Sequence, residues 1–227
     1  MFIHFGMSTF SDPVTPASQP PASTYAPDRL DVDQWVRVAR DAGMKYAVLT
    51  TKHVAGHCLW PTKHTDYSVA NSANRTDVVE AFVQACEKRG VLPGLYYCSE
   101  DYHHRFGGRC RDEAGGVPFT TSLYQTFQTA QITELLTQYG PIAEMWIDIP
   151  GILGRGYRTF LYHYIGQLQP ELLKFVNEHY PELIRRLTDS LKLADEDAEA
   201  LRSAMSDFKR RRASVPEEGE ARAVEAK

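Results

Sequence analysis

Side chains that could bind or attack a substrate follow several short apolar segments of this sequence. His4 lies at the end of the first segment, a loop with His53, His57 and Trp60 follows the second, and Asp148 ends the last. Imidazole nitrogens hydrogen-bond to hydroxyl groups, and an indole covers the apolar face of a sugar ring. An ionised carboxylate held beside a bound sugar could attack it as a nucleophile. This combination of residue types favours a carbohydrate site.

Three further candidates lie at the ends of the later apolar segments. Tyr97 ends the third segment, Glu100 lies in the loop beyond it, and Trp146 precedes Asp148 by two residues. Each residue alone has an ordinary alternative role, such as a core contact, a turn or a helix cap. Their recurrence at successive segment ends is what favours a functional site.

The elements that would position these residues alternate along the chain. Apolar runs without polar alternation predict short buried strands, and amphipathic stretches that end at glycine predict helices between them. The predicted strands cover 2–5, 46–50, 91–97 and 142–147, and the predicted helices cover 33–43, 78–89 and 127–139. Strand, helix and glycine turn in repetition are typical of βαβ units with a parallel sheet. Ligands bind at the carboxyl ends of such strands.

The predicted fold class is therefore α/β, with a parallel sheet of the (β/α) barrel type. An eight-stranded barrel typically needs about 250 residues, and four units already fill 1–170, so we expect only the first half of a barrel. Residues 171–212 are rich in Leu and charged residues and predict a helical appendage, although 172–176 could also be a weak strand. Residues 213–227 are predicted to form a flexible tail.

Composition and charge exclude several classes of protein. The chain has 227 residues, 43% of them hydrophobic, and its net charge is -4, which gives no overall attraction for nucleic acid. No apolar run is long enough to cross a membrane, and no basic segment precedes the first apolar residues as in a secretory signal, so a cytoplasmic location is the default expectation. The four cysteines form no CxxC pair, which favours reduced, buried thiols.

Four ordered motifs resemble a known family. FIHFG, KYAVLTTKHVAGHCLWPTKHTDYSVANS, GLYYCSEDYHH and EMWIDIPG together resemble the first half of the catalytic domain of the α-L-fucosidases of glycoside hydrolase family 29, over 1–170. The resemblance implies an exo-acting, retaining hydrolase on a (β/α) barrel that removes terminal α-L-fucose. It implies no metal and no organic cofactor, and a fucosylated glycan or a small fucoside as the substrate.

The resemblance also assigns roles to individual residues. Asp148 matches the catalytic nucleophile at the family's Trp-x-Asp strand end. His4 and His53 match histidines that hold hydroxyl groups of fucose. The aromatic pocket positions match Trp60, Tyr97 and Trp146.

Two departures from the family pattern concern positions for which this chain offers candidates of its own. The family often has Lys-His-His-Asp-Gly-Phe, whereas this chain has Val54 in place of the second histidine, and we expect His57 to supply an imidazole nearby. The family's general acid/base usually comes from beyond the fourth strand, and retaining enzymes need a second carboxyl group roughly 5–5.5 Å from the nucleophile. Glu100 is the first candidate for this role, followed by Asp101 and Glu113.

Two other functions remain open at this stage. A sugar-binding chain without turnover would explain the missing acid/base and the unclosed barrel. A metal-dependent hydrolase would use His53, His57, His64 and Asp148 as ligands, although the histidines occupy a loop that contains glycine. The unpaired N–H and C=O groups of an edge strand can pair with a strand of another chain. We therefore also expect self-association through the open sheet edge or the C-terminal helices.

Overall fold

The sheet of this protein contains four parallel strands in sequence order. A computed structural model describes residues 1–11, 18–104, 119–168, 175–176, 178–189 and 195–213. The strands are β1 (Phe2–Ile3), β2 (Tyr46–Lys52), β3 (Leu92–Cys98) and β4 (Glu144–Asp148), and each pairs with the next. Among the described residues β1 and β4 each pair on one side only. The predicted α/β class with a half-barrel parallel sheet is confirmed.

A helix follows each strand along the chain, and local capping groups set where these helices begin and end. They are α1 (Val32–Asp41), α2 (Val78–Arg89), α3 (Ser122–Gln138) and α4 (Arg155–Leu168). The Asp77 carboxylate accepts a hydrogen bond from the Glu80 N–H at the start of α2 (2.9 Å), as an N-cap residue does. Gly90 ends the same helix with a φ of 67°, in the left-handed region that glycine adopts without strain.

Several element bounds differ from the sequence-based predictions. β1 ends at Ile3 instead of residue 5, because the Thr50 hydroxyl accepts from the Phe5 N–H (3.2 Å) in place of a strand partner. α3 begins at Ser122, five residues before the prediction, because Thr121 caps it. β4 runs through Asp148, and α4 was not predicted at all.

The two faces of the sheet have different surroundings. Side chains alternate along a strand, so Leu95, Tyr97 and Ile147 join the main core, which includes residues of α1, α2 and α3. Tyr96 and Cys98 lie on the opposite face, in a small separate cluster. Polar residues of the site lie on this second face, which would be the inside of a closed barrel.

The chain divides into two compact units, Met1–Pro170 and Glu171–Lys227. In the second unit, α5 (Pro181–Asp189) and α6 (Asp195–Ala213) pack through Leu183 and Ala204. Phe175 and Val176 join this core in a helical conformation, while 172–174 lie outside the described residues. Of the predicted tail, only the last residue of α6 is described. No helix in the described part of the chain is long and apolar enough to span a membrane.

Candidate active site

Four of the predicted site residues, His4, His53, Trp146 and Asp148, lie on the face of the sheet away from the helices. The rings of His4 and His53 are 4.6 Å apart, and the His53 ring stacks on Tyr96 at 5.9 Å. Tyr96 donates a hydrogen bond from its hydroxyl to Asp148 Oδ2 (2.5 Å). A carboxylate, a phenol and two imidazoles therefore converge at the carboxyl ends of the strands, where parallel sheets bind their ligands.

The strand register brings these side chains together. Tyr96 lies opposite Trp146, and Cys98 lies opposite Asp148, so all four share one face of the sheet. Phe2 of β1 contacts both aromatic rings edge-on, with its centroid 5.5 Å from Tyr96 and 5.7 Å from Trp146. Trp146 remains 47% exposed, which leaves much of its indole accessible to a ligand.

Burial and neighbouring charges set the protonation of the cluster. Burial, and to a smaller extent the nearby His4, lower the pKa of His53 to about 4, against an opposing effect of Asp148. Burial raises the pKa of Tyr96, and the Cys98 thiol and the hydrogen bond to Asp148 add to this effect. At neutral pH His53 is therefore a neutral imidazole, which can donate and accept, and Tyr96 keeps the proton that it donates.

The backbone after Asp148 turns sharply. Ile149 has a φ of 50° and a ψ of 45°, in the left-handed region that a β-branched residue rarely adopts. Such a conformation costs on the order of 1–3 kcal/mol. It ends β4 directly after the carboxylate and leads into a short 3₁₀ helix, Pro150–Leu153. The Ser99 N–H donates to the Asp148 carbonyl (3.1 Å), so the peptide of Asp148 is held by the residue that follows β3.

Two residues matched to the aromatic pocket lie elsewhere. Trp60 is fully buried in the main core, where its indole N–H donates to Glu134 Oε2 of α3 (3.0 Å). Tyr97 is also fully buried, and its hydroxyl donates to Gln131 Oε1 of α3 (2.7 Å). The structure brings neither of them into the cluster. Tyr96, which the sequence analysis missed, contacts the histidines and the carboxylate instead.

Both carboxylate oxygens of Asp101, the second acid/base candidate, have hydrogen-bond partners. Its Oδ2 accepts from Lys52 Nζ (3.0 Å) and contacts His104 Nδ1 (2.8 Å), and its Oδ1 accepts from the backbone N–H groups of His103 (3.0 Å) and His104 (2.9 Å). Burial alone would raise the pKa of Asp101, but the Lys52 cation and the His104 bonds outweigh it and hold the pKa well below its usual range. Asp101 is therefore ionised and has no proton to give.

Glu100 and Glu113 are the other two candidates for the acid/base. Glu100 is buried in the same loop, next to Ser99, whose N–H bonds to the Asp148 carbonyl. Glu113 lies outside the described residues. Glu100 therefore stays the first prediction for this role.

His57 lies at the edge of the cluster, beside a cavity of about 180 Å³ that His4 and His53 also line. Its Nε2 is 2.8 Å from the hydroxyl of Ser72, and its ring lies 4.9 Å from that of Tyr25. Burial lowers the pKa of His57 to about 4, against a smaller opposing effect of the Ser68 carbonyl. The imidazole is therefore neutral at physiological pH.

The ligands expected for a metal site are not arranged as one. His64 Nε2 lies 3.5 Å from Glu134 Oε1, and His57 is held by Ser72. Among the residues that the structure describes, no group of three or more His, Cys, Asp or Glu side chains is placed to hold a metal ion. The described cysteines, Cys58, Cys86 and Cys98, are buried free thiols, and Cys110 lies outside the described part.

Comparison with known proteins adds to this geometry. A family model described as α-L-fucosidase matches residues 3–190, more than half of the chain. The chain belongs to the α-L-fucosidase family. The predicted resemblance to this family is thus confirmed, and the match extends about 20 residues beyond the 170 that the four motifs suggested.

Several members of the α-L-fucosidase family are similar to this chain. α-L-Fucosidase 1 of Arabidopsis thaliana is 38% identical over 184 residues, which are 77% of this chain and 34% of the plant protein. The structure of α-L-fucosidase isoenzyme 1 from Paenibacillus thiaminolyticus is 31% identical with a TM-score of 0.64, over 75% of this chain and 46% of that one. A glycoside hydrolase 29 family member from an unknown rumen bacterium is 30% identical with a TM-score of 0.55, over 74% and 32% of the respective chains.

The coverage of these relatives is partial. The chain spans about a third or less of the length of the curated relatives, between 24% and 34% for the Bos taurus, Oryza sativa and Arabidopsis thaliana proteins. Family membership therefore fixes which fold the four strands belong to, while the chemistry of this chain has to be argued from its own residues.

Proposed function

We propose that this chain carries the nucleophile half of a retaining α-L-fucosidase site. Asp148 is the nucleophile, and the substrate is a terminal α-L-fucose of a glycan or a small fucoside. The observation that carries the proposal is the Asp148 carboxylate itself. It stands at the end of a parallel strand, bonded to Tyr96 at 2.5 Å and facing two histidines, in a member of the α-L-fucosidase family.

The hydrogen bond from Tyr96 supports the assignment of the attacking atom. Because Tyr96 donates to Oδ2, the carboxylate is held in one orientation and Oδ1 is the oxygen that attacks. A bond forms between Oδ1 and the anomeric carbon, the bond from that carbon to the leaving oxygen breaks, and this oxygen takes a proton from the acid. Water then attacks the glycosyl-enzyme and releases fucose with its configuration retained.

Glu100 is proposed as the acid in the first step and the base in the second. One support is its position next to Ser99, whose N–H bonds to the backbone carbonyl of Asp148. The other is that the neighbouring Asp101 forms an ion pair with Lys52 and so cannot serve as the acid. A general acid in this reaction must carry a proton when the bond to the leaving oxygen breaks.

The remaining cluster residues would bind the sugar. The neutral imidazole of His53 can donate one hydrogen bond and accept another, and His4 stands 4.6 Å from it, so the two can hold neighbouring hydroxyl groups. The half-exposed indole of Trp146 offers a flat apolar face to the sugar ring. The reaction needs no metal and no organic cofactor.

A second candidate is a sugar-binding chain that does not turn its ligand over. The observation that favours it is the ionised state of Asp101, which leaves one carboxyl group in the described part of this loop for acid catalysis. General acid assistance typically contributes about 10²–10⁴-fold to the rate, so a chain without it binds fucose and hydrolyses slowly.

Hydrolysis of an aryl α-L-fucoside tests the first candidate. Asp148→Asn should lower kcat by at least about 10³-fold, and azide should restore turnover to Asp148→Gly by entering the space of the lost side chain. The exposed Asp66→Asn is the matched control and should keep full activity. Equal rates for Asp148→Asn and the unaltered protein would contradict the nucleophile assignment. Calorimetric binding of L-fucose without turnover by the unaltered protein would favour the second candidate.

A further inference from the structure

The pairing of β2 with β3 is irregular directly before His53. Thr50 lies opposite Tyr96, whereas Lys52, two residues later, lies opposite the very next residue of β3. Thr51 is therefore an extra residue in β2. An extra residue of this kind forms a β-bulge, which bends the strand and changes where the following side chains point.

The bulge decides which side chains at the end of β2 face the site. Thr50 lies on the face of the sheet that carries the site, because it pairs with Tyr96 and lines a cavity together with His53. Side chains of a regular strand alternate between faces, so a strand without the extra residue would turn Lys52 toward the site and His53 toward the helices. In the structure, Lys52 Nζ instead lies 4.5 Å from the ring centre of Tyr97, on the side of the helices. The His53 ring stacks on Tyr96, on the side of the site.

A buried ion pair holds Lys52 on the side of the helices. Its Nζ donates to Asp101 Oδ2 (3.0 Å) and to the Tyr124 hydroxyl (3.2 Å), and both charged side chains are 0% exposed. Turning Lys52 toward the site would leave the Asp101 carboxylate buried without its cation, which is strongly unfavourable. The ion pair therefore opposes the regular register that would remove the bulge.

Hydrogen bonds on both sides of His53 complete the connection to β3 and the loop after it. Before the histidine, the Thr51 hydroxyl donates to the Tyr96 carbonyl (2.7 Å), so this carbonyl has a partner at the irregular position. After the histidine, the Tyr102 N–H donates to the Val54 carbonyl (2.8 Å). The backbone that carries His53 is thus attached at both ends.

We propose that Thr51, Lys52 and Asp101 are positioning residues, which hold a β-bulge that turns His53 into the sugar site. The task of His53 as a sugar-binding residue comes from the proposed function, on which this inference rests. A binding group that is already oriented before its ligand arrives loses less conformational entropy on binding. Loss of the bulge should therefore weaken sugar binding even where the fold is kept.

A double variant, Lys52→Met combined with Asp101→Asn, separates orientation from folding. It removes the ion pair without leaving a charge buried, and methionine keeps an unbranched apolar chain against Tyr97. Asparagine keeps an oxygen for the backbone N–H groups that Asp101 binds. Because replacing both charges of a buried pair costs much less than removing one, the Tm of the double variant should stay well above that of Asp101→Asn. The link that holds His53 is lost all the same.

Nuclear Overhauser contacts between the rings of His53 and Tyr96 report the orientation of His53 without any ligand. We expect these ring contacts in the unaltered protein and their loss in the double variant. The matched control is Asp33→Asn, which removes an ion pair with Arg89 between α1 and α2 and should keep the ring contacts. Ring contacts that persist in the folded double variant would overturn the inference.

Calorimetry with L-fucose tests the consequence for binding. The double variant should raise Kd about tenfold, in keeping with the cost of ordering side chains on binding. Added to His53→Ala, the same two substitutions should raise Kd no more than about twofold further, because residues that act through one group are not additive with its removal. Equal increases in both backgrounds would show that the pair does not act through His53.

Thr51 offers a second test that leaves the ion pair in place. Thr51→Val keeps the shape of the side chain but loses the hydrogen bond to the Tyr96 carbonyl, and it should raise Kd for L-fucose about threefold. Thr51→Ser restores the hydroxyl and should regain most of this affinity. Equal Kd values for the two variants would contradict the role of the hydroxyl in holding the bulge.

The two kinds of measurement separate this inference from the function on which it rests. If the unaltered protein binds no L-fucose while the ring contacts are lost in the double variant, the proposed function fails and the orienting role of the bulge is supported. If the unaltered protein binds L-fucose, and the double variant keeps both the ring contacts and the same Kd, only the positioning role is overturned.

Discussion

Replacement of Asp101 by asparagine should strongly destabilise the unit that carries the site. The carboxylate is bonded to Lys52 Nζ at 3.0 Å, and both side chains are 0% exposed, so water cannot replace the lost partner. Asparagine keeps an oxygen that can accept from the backbone N–H groups of His103 and His104, but it removes the negative charge. The Lys52 ammonium is then left buried with the Tyr124 hydroxyl at 3.2 Å as its remaining side-chain hydrogen bond.

The expected cost follows from this geometry. Removing one partner of a buried ion pair costs about 3–5 kcal/mol, because the other charge stays buried without compensation. For a protein of roughly this size each kcal/mol lowers Tm by about 2–4 °C, so the decrease in Tm should be about 6–20 °C. This is a large fraction of a total stability of about 5–15 kcal/mol.

Urea unfolding followed by tryptophan fluorescence measures the loss of Asp101. All three Trp residues lie in the first unit, so the signal reports on that unit. Asp41→Asn is the control, because it removes the exposed partner of Arg40 at 2.6 Å, a pair that should contribute no more than about 1 kcal/mol. Lys52→Met combined with Asp101→Asn should be more stable than Asp101→Asn alone. The reasoning is refuted if Asp101→Asn costs no more than Asp41→Asn.

Two further predictions concern the same part of the molecule. Tyr96→Phe should lower kcat for an aryl fucoside about 10- to 100-fold, since hydrogen bonds to charged groups contribute about 1.5–3 kcal/mol. The adjacent Tyr97→Phe, which loses the bond to Gln131 on the other face, should change stability but leave kcat within about twofold, and equal effects on kcat would contradict the assignment of the two faces. Because Asp101 has a lowered pKa in the folded state, its contribution to stability is complete above the unfolded pKa of about 3.9 and is lost as the pH falls below it. Unfolding midpoints between pH 6 and pH 3 should therefore fall more steeply for the unaltered protein than for Asp101→Asn, and parallel curves would show that Asp101 is not the responsible group.

The sequence by itself predicted the order of the four strands and of the three helices between them, because local signals specify them. Asp77 and Gly90 fix the two ends of α2 through contacts within the helix and its first flanking residues. Continuous apolar runs indicated buried parallel strands, and the four motifs indicated the family. It also predicted that His4, His53 and Asp148 would meet, because the carboxyl ends of neighbouring parallel strands lie at one edge of a sheet.

Only the tertiary structure decided which of two neighbouring tyrosines faces the site. β3 is buried on both faces, so its sequence has no polar alternation to show which residues face the helices. The pairing of Cys98 with Asp148 places Tyr96 on the face of the carboxylate and Tyr97 on the other, and a shift of one residue would exchange them. In the same way, the partner of Trp60 is Glu134, 74 residues later in the chain. A contact between such distant residues depends on how α3 packs on the sheet, and no local pattern in the sequence carries that information.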